Sequence, residues 1–313
     1  MRQRNARRLL RQAVDALLDT AAAERNMSAL MSSPATITTP AEVACLGPEG
    51  SFSHLVASKR FPEAQVRALG TIGEVFDYLS AHPEVQGVLP IENSSGGIII
   101  DTVDRLVDGR CGLHVLEELT LDVKLALLGH AGQAVEVIYS HPMPFFHADE
   151  WLRQTHPEAK RVPLTSTAAS AKRAVEELNA ATLGPRQNAA LHGLDILAFP
   201  INGETPNITQ FFVVGSVPNE ASTSHNRAAL VTELPDRAGS LCHFLMPFSE
   251  AGVSLKRIES RPIRGQPNKY RFYIELEGSA SDERTVKALA QTEAEGAVNR
   301  LLGSYESGRR FES

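Results

Sequence analysis

The 313-residue sequence has little cysteine and no long apolar run. Its three cysteines, Cys45, Cys111 and Cys242, are scattered along the chain and form neither a CxxC motif nor a cysteine–histidine motif. This pattern argues against a disulfide framework or a cysteine metal site, and it favours a reducing cytoplasm. No apolar segment approaches the ~20 residues that span a bilayer. We therefore expect a protein that is neither disulfide-stabilised nor membrane-embedded.

An excess of positive charge is also missing. The 31 basic residues are outnumbered by 37 acidic ones, for a net charge of −6, which argues against a nucleic-acid partner. The sequence lacks the phosphate-binding GxxxxGK[ST], the Rossmann glycine fingerprint, GxSxG and HExxH. Nothing in it calls for a nucleotide, a metal or a redox cofactor.

Three regions can be distinguished along the chain. Residues 1–42 contain an arginine-rich start, apolar positions at helical spacing over 6–31, and a polar linker. From Val43 to 217, short apolar runs alternate with amphipathic segments, which predicts an α/β domain with largely parallel strands. After a second polar linker, residues 227–308 follow a βαββαβ order of the ferredoxin-like class.

Polar loops follow three of the predicted strands in the α/β region. They are Glu92–Gly97, Ser166–Ala169 and Asn207–Phe211. Ligands of α/β sheets bind beyond the carboxyl ends of strands, and hydroxyls, amides and helix N-termini hold anions without a basic cleft. A single loop of this kind is more often a helix cap or a turn than a binding site. Together they favour a small anionic ligand.

Several segments, in unbroken order, resemble the prephenate dehydratase family. They are LGPEGSFS (46–53), VLPIENSSGGIIIDTVDRL (88–106), SHP (140–142), STAASA (166–171) and NITQFF (207–212). GSL (239–241) and ESRP (259–262) resemble the phenylalanine-binding ACT domain that follows the catalytic domain in that family.

The resemblance implies a periplasmic-binding-protein-like catalytic domain of two α/β subdomains. The chain would cross from one subdomain to the other twice, near residue 120 and near residue 200. A ferredoxin-like ACT domain would follow it. It also implies a cytoplasmic homodimer or homotetramer that converts prephenate to phenylpyruvate without a cofactor, on the route to L-phenylalanine. L-Phenylalanine would be its inhibitor.

The resemblance also implies roles for individual residues. Thr209 would donate the proton to the departing hydroxyl or relay it there. The implied substrate contacts are Asn93, Ser94, Ser166, Thr167, Gln210 and Phe211, with Phe211 as a wall of the ring pocket. The implied phenylalanine-binding residues are Gly239, Ser240, Leu241, Glu259, Ser260, Arg261 and Pro262.

Gln210 departs from the family pattern, which is Thr-Arg-Phe at this place. Glutamine cannot offer the charged, bidentate fork that arginine gives a carboxylate. One interpretation is a divergent dehydratase whose substrate carboxylate is held by Arg186 or by helix ends. The alternatives are a prephenate decarboxylase that leaves the ring non-aromatic, and an inactive amino-acid-sensing module. Retention of Thr209 and Phe211 favours dehydration.

Overall fold

The computed structural model describes residues 40–203, 206–218, 225–263 and 265–313. The predicted helix over 6–31 lies outside these residues. Within them, no helix is long and apolar enough to cross a lipid bilayer.

Short apolar runs form the strands, as their composition predicts. In chain order the strands are β1 (Glu42–Leu46), β2 (Gln65–Leu69), β3 (Gln86–Asn93), β4 (Gly97–Ile98), β5 (His114–Asp122), β6 (Ala126–Gly129), β7 (Val137–Ser140), β8 (Lys160–Pro163), β9 (Ala180–Gly184), β10 (Asp195–Ala198), β11 (Ile208–Gly215), β12 (Arg227–Glu233), β13 (Leu255–Pro262), β14 (Tyr270–Glu277) and β15 (Val298–Glu312).

Hydroxyl side chains begin three of the helices. Ser51, Thr71 and Ser166 each accept a hydrogen bond from the backbone amide three residues later, which satisfies one of the free donors at the helix start. The helices are α1 (Phe52–Arg60), α2 (Ile72–Ala81), α3 (Ile100–Asp108), α4 (Pro142–His147), α5 (Asp149–Thr155), α6 (Thr167–Glu176), α7 (Asn188–His192), α8 (Ser240–Glu250) and α9 (Glu283–Ala294).

Two sheets divide the α/β region into two lobes. In the first lobe, β1 pairs in parallel with β2 and β3, and the antiparallel strand β11 lies between β3 and β5. The second lobe has the strand order β10-β6-β9-β7-β8, with β7 parallel to both β8 and β9. The two-subdomain α/β fold is therefore confirmed.

The chain crosses between the lobes twice, at the two places that the resemblance implies. The first crossing joins β5 to β6 and the second joins β10 to β11. Asn202 binds the two crossings together, because its side chain accepts from the amide of Leu125 and donates to the carbonyl of Val123 at 2.9 Å. The backbone of Asn207 accepts from the amide of Val123 at 2.8 Å. These bonds fix the hinge side of the fold.

The C-terminal region is a βαββαβ unit with the strand order β13-β14-β12-β15, as expected of a ferredoxin-like ACT domain. Its last strand is longer than the expected unit and continues past residue 308. The first part of β15 pairs with β12, and from Glu306 to Glu312 it pairs in parallel with β5. One ten-stranded sheet therefore contains both the ACT strands and the strands of the first lobe.

The passage of β15 from one partner to the other requires glycine at position 303. Gly303 has a φ of +156°, and a Cβ there would stand 2.3 Å from the carbonyl oxygen of Val115. Such a contact is far inside van der Waals distance. Any side chain at this position would push β15 away from β5.

Strand β11 is packed on both faces. Phe211 lies in a core cluster with residues of both lobes, whereas Phe212 lies in a second cluster that includes ACT residues. The ring of Phe212 meets that of Tyr305 edge to face, with centroids 5.5 Å apart. Because side chains alternate along a strand, Thr209 shares the face of Phe211 and Gln210 shares the face of Phe212.

Candidate active site

Thr209 and Asn93 stand side by side where two antiparallel strands meet. They are register partners on β11 and β3. The Asn93 amide donates to the Thr209 hydroxyl at 2.9 Å. This contact brings together two of the three predicted loops, which lie 116 residues apart in the sequence.

Hydrogen bonds at both its oxygen and its nitrogen fix the orientation of the Asn93 side-chain amide. Its oxygen accepts from the backbone amides of Ser95 at 3.0 Å and Gly96 at 2.9 Å. Its nitrogen also donates to the Asn207 side chain at 2.9 Å. The Thr209 oxygen must therefore accept from Asn93. Among the described residues, Thr209 donates to no protein group, so its own hydrogen can point to a ligand.

Ser94 joins the polar loop to the start of β11. Its hydroxyl donates to the Pro206 carbonyl at 3.2 Å and accepts from the Ile208 amide at 3.0 Å. The Ser94 amide also donates to the Ile208 carbonyl at 2.8 Å. The structure brings Ser94 next to Asn93 and Thr209, but its hydroxyl is used to hold the backbone.

The loop of the second lobe has the form of an anion-binding helix start. The Ser166 hydroxyl accepts from the Ala169 amide at 3.0 Å. This cap leaves the amides of Thr167 and Ala168, at the positive end of the ten-residue helix α6, without a helical partner. Thr167 is buried, and a Cβ on Gly184, at the end of β9, would lie 3.7 Å from its own Cβ.

The lobes approach one another at two places near these loops. A Cβ on Gly96 would lie 3.9 Å from the terminal methyl of Met143, which follows the SHP segment. A Cβ on Gly50, in the turn before α1, would lie 2.6 Å from the side-chain oxygen of Asn188. The strand ends of the two lobes therefore face one another across a narrow cleft.

Asn188 was missed in the sequence analysis. It is 1% exposed, and neither its oxygen nor its nitrogen has a hydrogen-bond partner among the described residues. A buried amide without partners is costly, which marks the position as unusual. It begins the helix α7, four residues after the end of strand β9, and this place is the signal that could have identified it by the same strand-end rule.

Arg186 lies in the turn between β9 and α7, two residues before Asn188, and is exposed. Its guanidinium lies over the ring of Phe199, 4.9 Å from the centroid. Among the described residues no carboxylate forms an ion pair with it. Arg186 therefore brings an uncompensated positive charge to the strand ends of the second lobe.

The Gln210 side chain does not lie with that of Thr209, although the two residues are consecutive. Its side chain lies on the opposite face of β11, where the amide nitrogen donates to Glu118 at 3.1 Å and the oxygen accepts from Arg257 of the ACT domain at 2.7 Å. Phe211 is on the Thr209 side, but it is 1% exposed and packed in the core beneath the cleft.

The Gln210 face is a buried charged cluster. Arg257 also binds Glu92 and Glu275, with 3.0 Å from its Nε to the Glu92 carboxylate. Burial, and then the negative charge of Glu275, raise the pKa of Glu118 to about 7, against the opposing effect of Arg257 and Arg227. This acid is therefore partly protonated near neutral pH.

The predicted phenylalanine site divides between two places. Gly239, Ser240 and Leu241 line a cavity of about 590 Å³ at the start of α8, with Tyr270 on its far wall. Gly239 has a φ of +83°, a conformation that favours glycine. This part of the site has the expected helix-end form.

The segment from Glu259 to Pro262 lies on β13 and does not line that cavity, although the next residue, Ile263, does. The Arg261 guanidinium instead binds both carboxylate oxygens of Asp104 on α3, at 2.5 and 3.0 Å. Its other neighbour is Glu259 at 3.7 Å.

Comparisons with known proteins agree with this architecture. Residues 43–219 match the family model of prephenate dehydratase, and residues 228–294 match that of the ACT domain. The chain is 32% identical over 293 residues to a bifunctional chorismate mutase/prephenate dehydratase of Stutzerimonas stutzeri, covering 92% of this chain and 79% of the relative.

Two solved structures are also similar. Prephenate dehydratase from Arthrobacter aurescens, in complex with L-Phe, is 29% identical with a TM-score of 0.76, over 85% of this chain and 89% of that one. GqqA, a quorum-quenching acylase, has a TM-score of 0.77 over 85% of this chain and 98% of that one, at 22% identity. At that identity the second likeness shows the fold alone.

Proposed function

The chain belongs to the prephenate dehydratase family and carries an ACT domain, and from this premise we propose that it converts prephenate to phenylpyruvate. The reaction breaks the bond between the ring and its carboxylate, and the freed electron pair moves through the ring to expel the hydroxyl group. The products are carbon dioxide, water and an aromatic ring. Aromatisation supplies the driving force, so the protein must position a dianion and supply one proton.

The hydrogen bond from Asn93 to Thr209 is the observation that carries the proposal. Because the Thr209 oxygen accepts from Asn93, its hydrogen is available for the departing hydroxyl. The Asn93 amide stabilises the charge that develops on the Thr209 oxygen, and a proton from solvent restores the hydroxyl. Positioned proton donors of this kind contribute roughly 10²–10⁴ in rate. A donor whose orientation is fixed before the substrate binds needs no rearrangement during the reaction.

The two carboxylates of the substrate require positive partners. In the proposal, the free amides at the start of α6, with Ser166 and Thr167, bind one carboxylate. Arg186 is the cation for the other. Asn188, with its unpartnered amide, lies near Thr167, since a Cβ on Gly184 would be 3.5 Å from the Asn188 nitrogen and 3.7 Å from the Thr167 Cβ. In the proposal, the Asn93–Ser94 loop closes the opposite side.

The position of Gln210 weakens the decarboxylase alternative. That alternative rests on the loss of an arginine from the substrate cleft, yet the Gln210 side chain points to the ACT side of β11. Thr209 and Asn93, the pair to which the proposal assigns proton donation, are joined by a 2.9 Å hydrogen bond on the other face. The proposal therefore keeps dehydration and omits Gln210 from the substrate contacts.

The test is to incubate the purified full-length protein with prephenate and to identify the product. We expect phenylpyruvate, measured by its absorbance in alkali, with carbon dioxide in equal amount. A non-aromatic keto acid would establish the decarboxylase instead. No turnover, with prephenate binding seen by calorimetry, would establish a binding module.

The proposal extends to regulation and assembly. Phenylalanine binds between two ACT units of a cytoplasmic homodimer or homotetramer, with its carboxylate on the amides of Gly239–Leu241 at the start of α8. The segment Glu259–Pro262 does not line this cavity itself, but it leads to Ile263 on the cavity wall and is kept in the proposal as the second contact region. Light scattering with and without phenylalanine measures the assembly, and calorimetry measures the affinity.

A further inference from the structure

The two faces of β13 have different surroundings. Its residues alternate between partly buried and exposed along the whole strand. Arg257 and Arg261 lie on the partly buried face and bind carboxylates of the catalytic domain, those of Glu92 and Asp104. Lys256 lies on the other face and pairs with Glu277 of the neighbouring ACT strand at 2.8 Å. One face of this regulatory strand is therefore a contact with the first lobe.

Arg257 makes the most central of these contacts. Its side chain is only 10% exposed. The guanidinium donates to Glu92 on β3, to Gln210 on β11 and to Glu275 on β14. It therefore ties together two strands of the first lobe and one strand of the ACT domain.

The two lobe residues that Arg257 holds are the direct neighbours of the candidate catalytic pair. Glu92 precedes Asn93 and Gln210 follows Thr209, and the two form register partners, as Thr209 and Asn93 do. A β-bulge lies next to them on β3, where Ile91 is skipped between the pairs Gln210–Glu92 and Phe211–Pro90. Because a bulged strand end is held by fewer ladder bonds, side-chain ties there have a larger influence on its position.

Arg257 balances the negative charge of the carboxylates in this cluster. The cluster contains three carboxylates: Glu118 accepts from the neutral amide of Gln210, and Glu92 and Glu275 accept from Arg257. Arg257 is the cation in hydrogen-bond contact with the amide and with two of the acids. Losing it would leave the buried Glu275 without its positive partner.

We propose that Arg257 is a positioning residue that sets the geometry of Thr209 and Asn93 from the ACT domain, and that it transmits phenylalanine binding to the cleft. The proposal rests on the proposed function for its kinetic readout. Arg257 lies two residues before Glu259 on the strand that leads to the phenylalanine cavity. A ligand that shifts β13 therefore changes the tie to β3 and β11 directly.

The experiment compares three variants with the wild type. Arg257→Gln removes the cation. The double variant Arg257→Gln/Gln210→Arg returns a guanidinium to the same cluster, but from β11 instead of from the ACT domain. Lys256→Gln is the matched control, since it removes the adjacent cation of the same strand, whose ion pair stays within the ACT domain and away from β3 and β11.

We expect Arg257→Gln to lower kcat about 10- to 100-fold while KM changes less than about threefold, because misplacing a catalytic group affects the chemical step. The double variant should recover kcat to within about fivefold of wild type and remain insensitive to phenylalanine, although calorimetry still shows phenylalanine binding. Lys256→Gln should match the wild type in turnover and inhibition.

Hydrogen exchange gives a readout that needs no turnover. Phenylalanine should change the exchange rates of amides in 207–211 in the wild type and in Lys256→Gln, and leave them unchanged in Arg257→Gln and in the double variant. If Arg257→Gln does not fold, as judged by its thermal unfolding, the double variant alone decides.

Phenylalanine inhibition of the double variant with the wild-type midpoint would overturn the proposal, as would wild-type kcat in Arg257→Gln. Absence of phenylalanine binding to the wild type would overturn it too. A wild type that binds phenylalanine but does not act on prephenate removes the proposed function only, because the exchange measurement still tests the transmission.

Discussion

Thr209 and Gln210 are consecutive residues of β11, yet their side chains have opposite surroundings. The Thr209 face carries neutral hydrogen-bonding groups: the Asn93 amide nitrogen donates both to the Asn207 side-chain oxygen and to the Thr209 hydroxyl. The Gln210 face carries a guanidinium and three carboxylates at the contact with the ACT domain. The two faces are separated by one peptide unit.

The two faces are therefore suited to different roles, one to proton donation and the other to the contact between domains. A proton donor benefits from a preorganised, neutral surrounding in which its own hydrogen has no competing acceptor. A contact between domains benefits from charges, whose interaction changes strongly with small displacements in a buried site. Strand β11 can connect the two because it is rigid and hydrogen-bonded on both sides, to β3 and β5.

Replacing Thr209 tests the neutral face and should have the largest effect. Thr209→Val keeps the shape and removes the hydroxyl, so kcat should fall about 10²–10⁴-fold with little change in KM. Thr209→Ser is the matched control, because it retains the hydroxyl and should retain most of the activity. Both are measured by phenylpyruvate formation. Equal activity of the valine and serine variants would remove Thr209 from the proton transfer.

Replacing Glu118 tests the charged face. Its pKa is raised from 4.5 to about 7 in the folded protein, so between these pH values the native state binds more protons than the unfolded state. The free energy of unfolding should therefore fall as pH rises through this range, by at most about 3 kcal/mol from this group. Glu118→Gln, which stays neutral, should lose that part of the pH dependence.

Urea unfolding of the wild type and of Glu118→Gln at pH 5 and pH 8 measures this difference directly. Other titrating groups act equally on both proteins and cancel in the comparison. Stability curves that stay parallel from pH 5 to pH 8 would show that Glu118 has an ordinary pKa.

Replacing Arg186 asks whether the cleft takes its positive charge from the second lobe, and its effect should be the smallest. Arg186→Gln should raise KM for prephenate about tenfold, as expected for one charge-assisted hydrogen bond, and change kcat little. Arg173→Gln is the control, an exposed arginine of the same lobe that pairs with Glu177 at 2.8 Å. Equal KM values for the two variants would place Arg186 outside the site.

Local patterns in the sequence predict much of this molecule. The apolar runs, hydroxyl caps and turns predict the α/β alternation and the βαββαβ order. The strand-end rule identifies the loop at Asn93, which ends β3. Thr209 reaches the same sheet edge because β11 begins there and runs antiparallel to β3, which the rule does not predict. The period of two along "ITQFF" also implies that Thr209 and Gln210 face opposite sides, although the residues that each would meet are not contained in that pattern.

The partners on the charged face were decided by the tertiary structure. Arg257 lies 165 residues from Glu92 and 47 residues from Gln210 in the sequence. From the local sequence, Arg257 is predicted only as an ordinary strand residue. The continuation of β15 onto β5 is likewise absent from the local signal, since "ESGRRFES" has the composition of a polar tail. Backbone preferences and caps act over a few residues, so a sequence determines its helices and strands locally. Which side chains meet across domains depends on how the sheets join and fold over one another, and that is set by packing of the whole chain.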